Sequence, residues 1–260
     1  MQGHATCSCI CGVQHWLPVA NVSMMSLAKL PFMFAAATGF HIALTAPDTA
    51  EKDEVVIPNS VERFLSPINM LIAGFLKHTV WLVTAAEAAV ILTPYIPPHS
   101  ISPRIMSILE KLGSPNASKL NTASVFGSLM FMTSGYIRWE CYRELGRFFT
   151  YKLSIREGHK LITTGPYSVV RHPSYVGIVL SFVGACAMYG APSSWLRVSG
   201  VLRLSFVRRA AMAWASMMVV VMVGLFVRMP DEDKMMAQGT GKEWEEWAKR
   251  VKYRLIPGIY

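Results

Sequence analysis

Residues 161–190 read LITTGPYSVVRHPSYVGIVLSFVGACAMYG. Two rigid turns, an Arg-His pair and two tyrosines crowd into 161–177, and an apolar segment over 175–190 follows without a spacer. Polar chemistry pressed against a bilayer boundary is expensive, which weakens a purely structural reading. Pro173 suits the first position of a helix, where its missing N–H costs nothing. His172 before it is biased toward extended backbone. A helix is therefore expected to begin at Pro173, with its free N–H groups and positive dipole end aimed at the polar region. That end is a berth for an anion such as an amino-acid carboxylate. Gly165-Pro166 predicts a sharp turn just upstream, which lets Tyr167 and Tyr175 reach back toward the same space. The competing account is a helix cap flanked by headgroup-level anchors.

Working outward, composition sets the class. The chain has 260 residues, 52% hydrophobic and 16% charged, against about 25% charged in soluble domains, and its mean hydropathy is +0.34. These values point to an all-α integral membrane protein. Apolar runs at 24–46, 68–96, 122–137, 175–190 and 210–227 give about five expected crossings, each judged against a requirement of about 20 residues. Pro94, Pro97 and Pro98 end the second run. Lys77, His78 and Glu87 inside it should face protein, water or headgroups, and structural pairing suits them better than catalysis. Three regions follow: a tail over 1–23, three membrane helices over 24–137, and a catalytic region over 138–260 containing two further membrane helices and an amphipathic helix at 231–253.

The net charge of +9 does not indicate nucleic acid, because the basic residues lie between apolar segments. A juxtamembrane role facing anionic lipid fits better. The positive-inside rule puts the basic stretch 138–171 in the cytosol. It leaves the arginines of 191–209 on the far side, against the usual bias. Residues 1–23 lack a basic start and a clean apolar run, so no cleavable signal peptide is expected. Cys7, Cys9 and Cys11 near His4 and His15 do not have a usual zinc spacing, and no metal is expected.

A second constellation closes the fifth run. Arg228 and Glu232 are four residues apart and would share the face of a continuous helix. Pro230 between them predicts a kink, which would put Asp231, Glu232 and Asp233 in the first turn of a separate tail helix, where acids are favoured. Glu243, Glu245 and Glu246 beside Trp244 and Trp247 read as a solvated face. Gly239-Thr240-Gly241-Lys242 lacks the spacing of a phosphate loop and reads as a connection between two short helical pieces. No G-x-G-x-x-G sits between a strand and a helix, so a Rossmann methyltransferase is not indicated. No motif suggests hydrolysis.

The run Leu161-Ile162-Thr163-Thr164-Gly165-Pro166-Tyr167, followed by Arg171-His172-Pro173-Ser174-Tyr175-Val176-Gly177, resembles the signature of the isoprenylcysteine carboxyl methyltransferases. Arg143-Glu144-Leu145-Gly146-Arg147-Phe148-Phe149-Thr150 before it is similar to that family too. So are Glu243-Trp244-Glu245-Glu246-Trp247, Arg250 and the closing Arg254-Leu255-Ile256-Pro257-Gly258. The resemblance covers about 138–260, and it implies S-adenosylmethionine-dependent methylation of the C-terminal carboxylate of a prenylated cysteine, in the endoplasmic reticulum membrane with the active site facing the cytosol. By position it implies cofactor contacts at His159, Lys160, Leu161, Ile162, Tyr167, His172, Pro173, Ser174, Tyr175 and Glu232. It also implies an arginine that orients the substrate carboxylate, Arg228, with Arg171 as a second catalytic candidate.

That chemistry needs no added base. A C-terminal carboxylate with a pKa near about 3.5 is ionised and nucleophilic at neutral pH. In-line attack on a sulfonium methyl then needs alignment, which can be worth about 7–11 kcal/mol. A greasy acceptor and a soluble donor together predict a site with two mouths, one facing lipid and one wet. Some of the sixteen methionines would line the lipid slot. Three rivals stand beside this reading: a phospholipid or small-amine N-methyltransferase of the same membrane fold, an NADPH-dependent sterol reductase-like protein, and a non-catalytic scaffold.

Overall fold

The computed structural model describes residues 24–45, 69–97, 102–113, 118–149 and 160–259. The tail with its cysteine cluster, the acidic connector over 48–63 and His159 lie outside the described residues. The described residues form nine α-helices and no strand: α1 (Met24–Leu27), α2 (Lys29–Ala43), α3 (Asn69–Leu92), α4 (Pro103–Lys111), α5 (Thr122–Leu145), α6 (Pro173–Gly190), α7 (Trp195–Val198), α8 (Ser205–Thr240) and α9 (Lys242–Arg250). The protein is an all-α membrane protein. Three helices, α3, α6 and α8, are part of segments long and apolar enough to cross a bilayer.

Helices α2, α5 and α6 form the tight centre of the bundle. Lipid tails are as apolar as leucine, so close association in a membrane depends on small residues and buried polar contacts. Both are present. Gly39 of α2 and Gly135 of α5 meet backbone to backbone, and a Cβ on Gly135 would lie 2.5 Å from the Gly39 carbonyl oxygen. Between α5 and α6, the Ser134 hydroxyl reaches both the Gly177 carbonyl at 2.7 Å and Ser181 Oγ at 2.6 Å. Phe40 and Phe131 pack edge to face at 5.0 Å in the same core.

The charges inside the apolar runs pair with protein. Lys29 Nζ meets Glu87 Oε1 at 2.5 Å, both side chains almost wholly buried. Ser118 bonds to both Lys29 and Glu87. Lys77 reaches Thr45 Oγ1 at 3.1 Å, and His78 Nδ1 the Gly74 carbonyl at 2.6 Å.

Two sequence expectations are corrected. The third apolar run does not stop at 137: α5 begins at Thr122, capped by Asn121, and carries Arg138 and Glu140 inward before ending at Leu145. The chain also does not start a new helix after Pro230. α8 continues through it for 36 residues, so Asp231, Glu232 and Asp233 are mid-helix rather than in a first turn. Met229 and Asp233 flank the proline and are both buried. Tertiary anchoring on either side outweighs one lost backbone hydrogen bond, a loss membrane helices tolerate. The amphipathic segment expected over 231–253 is accordingly the end of α8, a break at Gly241, and α9.

At about 1.5 Å per residue α8 is about 54 Å long, well beyond a hydrocarbon core of about 30 Å. Its last third therefore projects past the apolar layer and holds its acids over the end of the bundle.

Candidate active site

Several chain segments build the site at that end. Gly165-Pro166 opens a 3-10 turn over Gly165–Ser168, with Gly165 at φ +56, a conformation that suits glycine. Thr164 anchors the turn by donating to Glu144 Oε2 at 2.5 Å. The turn buries Tyr167, whose carbonyl accepts from Trp247 Nε1 of α9 at 3.2 Å. Burial pushes the Tyr167 hydroxyl well above the usual tyrosine range. α6 then begins at Pro173 as expected, with His172 at φ −123, ψ 60 before it.

Asp233 is the hub. Its Oδ1 accepts from His172 Nε2 at 3.1 Å. Its Oδ2 accepts from Arg171 Nη1 at 3.1 Å and Arg254 Nε at 2.9 Å. The closing segment is laced to the same place through its backbone, because Arg171 N–H donates to the Tyr253 carbonyl and His172 N–H to that of Arg254. Arg171 also donates to the Lys252 carbonyl and lies over the Trp244 ring.

Glu232, one residue earlier, turns toward α6. Its Oε2 accepts from the Tyr175 hydroxyl at 2.6 Å and stands 3.7 Å from Arg228 Nε. The i, i+4 pairing of Arg228 and Glu232 thus holds because α8 is unbroken. The Tyr175 ring stacks on His172. Beneath them Arg138 is buried. Its Nη1 donates to Ser174 Oγ and its Nε to the Ala43 carbonyl, each at 2.6 Å, and the guanidinium lies over Tyr142 and Phe149.

These groups surround a cavity of about 200 Å³. Lys160, Leu161, Ile162, Tyr167, Arg171, His172, Ser174, Tyr175, Arg228 and Glu232 all line it. Pro173 is buried at the start of α6 but is not part of the lining. Sequence reading missed Arg138, Asp233 and the pair Phe148 and Phe149 as wall residues. An arginine directly after the 122–137 apolar run was the available signal for Arg138. Asp233 was hidden by the expected break at Pro230. The opposite wall is apolar: Ile72, Ala73 and Leu76 of α3 face Val221 and Leu225 of α8.

Comparison with known proteins adds to this geometry. The protein-S-isoprenylcysteine O-methyltransferase B of Arabidopsis thaliana is 31% identical over 159 residues, 59% of this chain and 71% of the relative. The chain belongs to the protein-S-isoprenylcysteine O-methyltransferase family. It is a methyltransferase. The family's A protein from Arabidopsis thaliana is 27% identical over 206 residues, 76% of this chain and 95% of the relative. The phospholipid methyltransferase family matches this methyltransferase over residues 122–211. A Delta(14)-sterol reductase of Neurospora crassa is 27% identical over 122 residues, covering 42% of this chain and 25% of that protein. No solved structure matches.

Proposed function

We propose that this methyltransferase esterifies the C-terminal carboxylate of a prenylated cysteine, with S-adenosylmethionine as methyl donor, at the cytosolic face of the endoplasmic reticulum. The observation that carries this reading is the position of Arg228. It sits on α8 one turn beyond Leu225 of the apolar wall and one turn before Glu232 of the polar wall, in a single cavity. A lipid chain against Ile72, Leu76 and Val221 would end with its carboxylate at that guanidinium.

The lining suits the donor. Glu232 provides negative charge for a cationic sulfonium nucleoside, Lys160 stands at the rim, and Leu161, Ile162, Trp244 and Trp247 offer apolar and aromatic surface for a flat base. When bound, the cofactor supplies an electrophilic methyl group. Arg228 orients the acceptor by the paired hydrogen bonds that guanidinium and carboxylate favour. Its existing contact with Glu232 keeps that grip moderate, which matters because over-stabilising the ground state slows attack. Tyr175 holds Glu232 in place, and the His172–Asp233–Arg171 cluster braces the polar wall. The acceptor is already ionised, so no side chain need remove a proton.

The match to phospholipid methyltransferases over 122–211 favours one second reading, methylation of an amine lipid. A single assay separates the two. Purified protein in micelles is incubated with labelled S-adenosylmethionine and N-acetyl-farnesylcysteine, or with an amine phospholipid. A base-labile methyl ester supports the proposal. Label on the amine lipid alone, or on neither, rejects it.

A further inference from the structure

The end of the bundle away from the cavity carries its own pattern. There the connectors 98–118 and 191–209 come together. Leu112, at the end of α4, packs in one apolar cluster with Trp195, Leu196, Val201 and Val207, over Val90 of α3. Gly113 lies against Ser199, so close that a Cβ there would stand 3.1 Å from the Ser199 Cα. Around this seam Arg104, Lys111, Arg197, Arg203, Arg208 and Arg209 are all exposed. None makes an ion pair with a described residue. The two connectors contain a single acid between them, Glu110. Large apolar side chains stand exposed next to the arginines: Ile105 beside Arg104, Val198 beside Arg197, Leu204 beside Arg203, and Phe206 two residues before Arg208.

Unpaired arginines interleaved with exposed isoleucine, leucine and phenylalanine do not suit open water. They suit the layer where acyl chains meet headgroups, with the apolar tips sunk and the guanidinium groups spread at phosphate level. A zwitterionic surface would leave this concentration of charge unmatched, whereas anionic headgroups complement it. We propose that this end is a binding platform for anionic membrane lipid, with Arg197, Arg203, Arg208 and Arg209 holding the headgroup phosphates and α4 lying in the interface. The platform lies across the bilayer from the methyl-transfer site, on the lumenal side in the proposed orientation, and does not depend on the identity of the acceptor.

The test uses the full chain in detergent, with phosphatidylglycerol and phosphatidylcholine of matched acyl chains as probes, followed by native mass spectrometry and thermal unfolding. Phosphatidylglycerol should be retained and should raise the unfolding temperature, more so at low salt. The quadruple variant R197Q/R203Q/R208Q/R209Q should lose its retention at least tenfold, while the matching quadruple lysine variant keeps it. The lysine variant shows whether charge or folding is responsible. Equal retention of the two lipids, or undiminished phosphatidylglycerol binding by the glutamine variant, overturns the proposal.

Discussion

Asp233 of α8 accepts a 3.1 Å hydrogen bond from His172, the residue that precedes α6. The contact joins the helix carrying Arg228 and Glu232 to the start of the helix carrying Tyr175. The same carboxylate takes Arg171 and Arg254 on its other oxygen, so one side chain fixes the spacing of both walls and ties down the closing segment.

Asp233→Asn should therefore act through position. The variant keeps an acceptor but leaves two cations without their counter-charge. Loss of a partner from a fully buried pair costs about 3–5 kcal/mol, and the partial exposure of Arg171 and Arg254 calls for a smaller effect, about 1–2 kcal/mol. Thermal unfolding should reveal it. KM for the methyl donor should rise about tenfold with a lesser change in kcat, and Asp233→Glu should recover part of both. Unchanged donor KM would limit Asp233 to a structural role.

Arg228→Ala should lower kcat/KM for a prenylcysteine by about 100-fold or more, the range expected when a positioning contact is lost. Arg228→Lys should recover little, because an ammonium cannot offer the paired geometry. Steady-state kinetics with both substrates varied should assign the loss to the acceptor. A variant defective only in donor binding would move Arg228 out of its proposed role.

Rate against pH tests the nucleophile. A carboxylate acceptor with pKa near about 3.5 is ionised throughout the neutral range, so the profile should be flat from about pH 6 to 9. An amine acceptor would instead give a rate rising with pH. Tyr167 adds no step in that window, since burial raises its pKa. A raised tyrosine pKa stabilises the fold fully below the unfolded value of about 10, and this contribution is lost only as pH climbs above it.

Gly135→Ala tests the helix contact below the site. The new Cβ would lie 2.5 Å from the Gly39 carbonyl oxygen and 2.7 Å from its Cα, so α2 and α5 must part. Overpacking of this kind costs about 1–3 kcal/mol. The readout is the unfolding temperature in detergent, and a variant as stable as the parent would show that the helices are not pressed together there.

Lys29 and Glu87 form a buried pair, and a double-mutant cycle should expose its cost. Lys29→Met alone leaves a carboxylate buried without its counter-charge and should destabilise by about 3–5 kcal/mol. Lys29→Met with Glu87→Leu should regain most of that loss. Additive single effects would mean the pair is not coupled.

How much of this was legible beforehand depends on the range of the force involved. The start of α6 at Pro173 and the turn at Gly165-Pro166 are local, set by proline and glycine stereochemistry within a few residues, and both were readable. The apolar runs were readable from local hydropathy, although among the described residues only three of the five expected crossings lie in helices long and apolar enough to span a bilayer. Pro230 misled because its local preference was overruled by distant partners: Asp233 is held by residues 61 or 62 positions earlier and by Arg254, 21 later. Arg138 eluded the reading because its partners, Ala43 and Ser174, adjoin it only after three helices have closed. The buried Lys29–Glu87 pair spans 58 residues; that Glu87 needs a partner was readable from its place in an apolar run, but which residue supplies it was not.

The long helix α8 is clamped at its polar end, while its apolar stretch packs little against the rest of the chain. Its outer face along that stretch is left for acyl chains, and a thicker or thinner bilayer should shift its lean within what its packing allows. A lean pivoting about Asp233 swings Val221 and Leu225 relative to α3 and changes the width of the greasy slot, with Arg228 near the fulcrum. Turnover measured across bilayers of graded acyl length should pass through a maximum, and a flat response would mean that the helix is braced by something other than lipid.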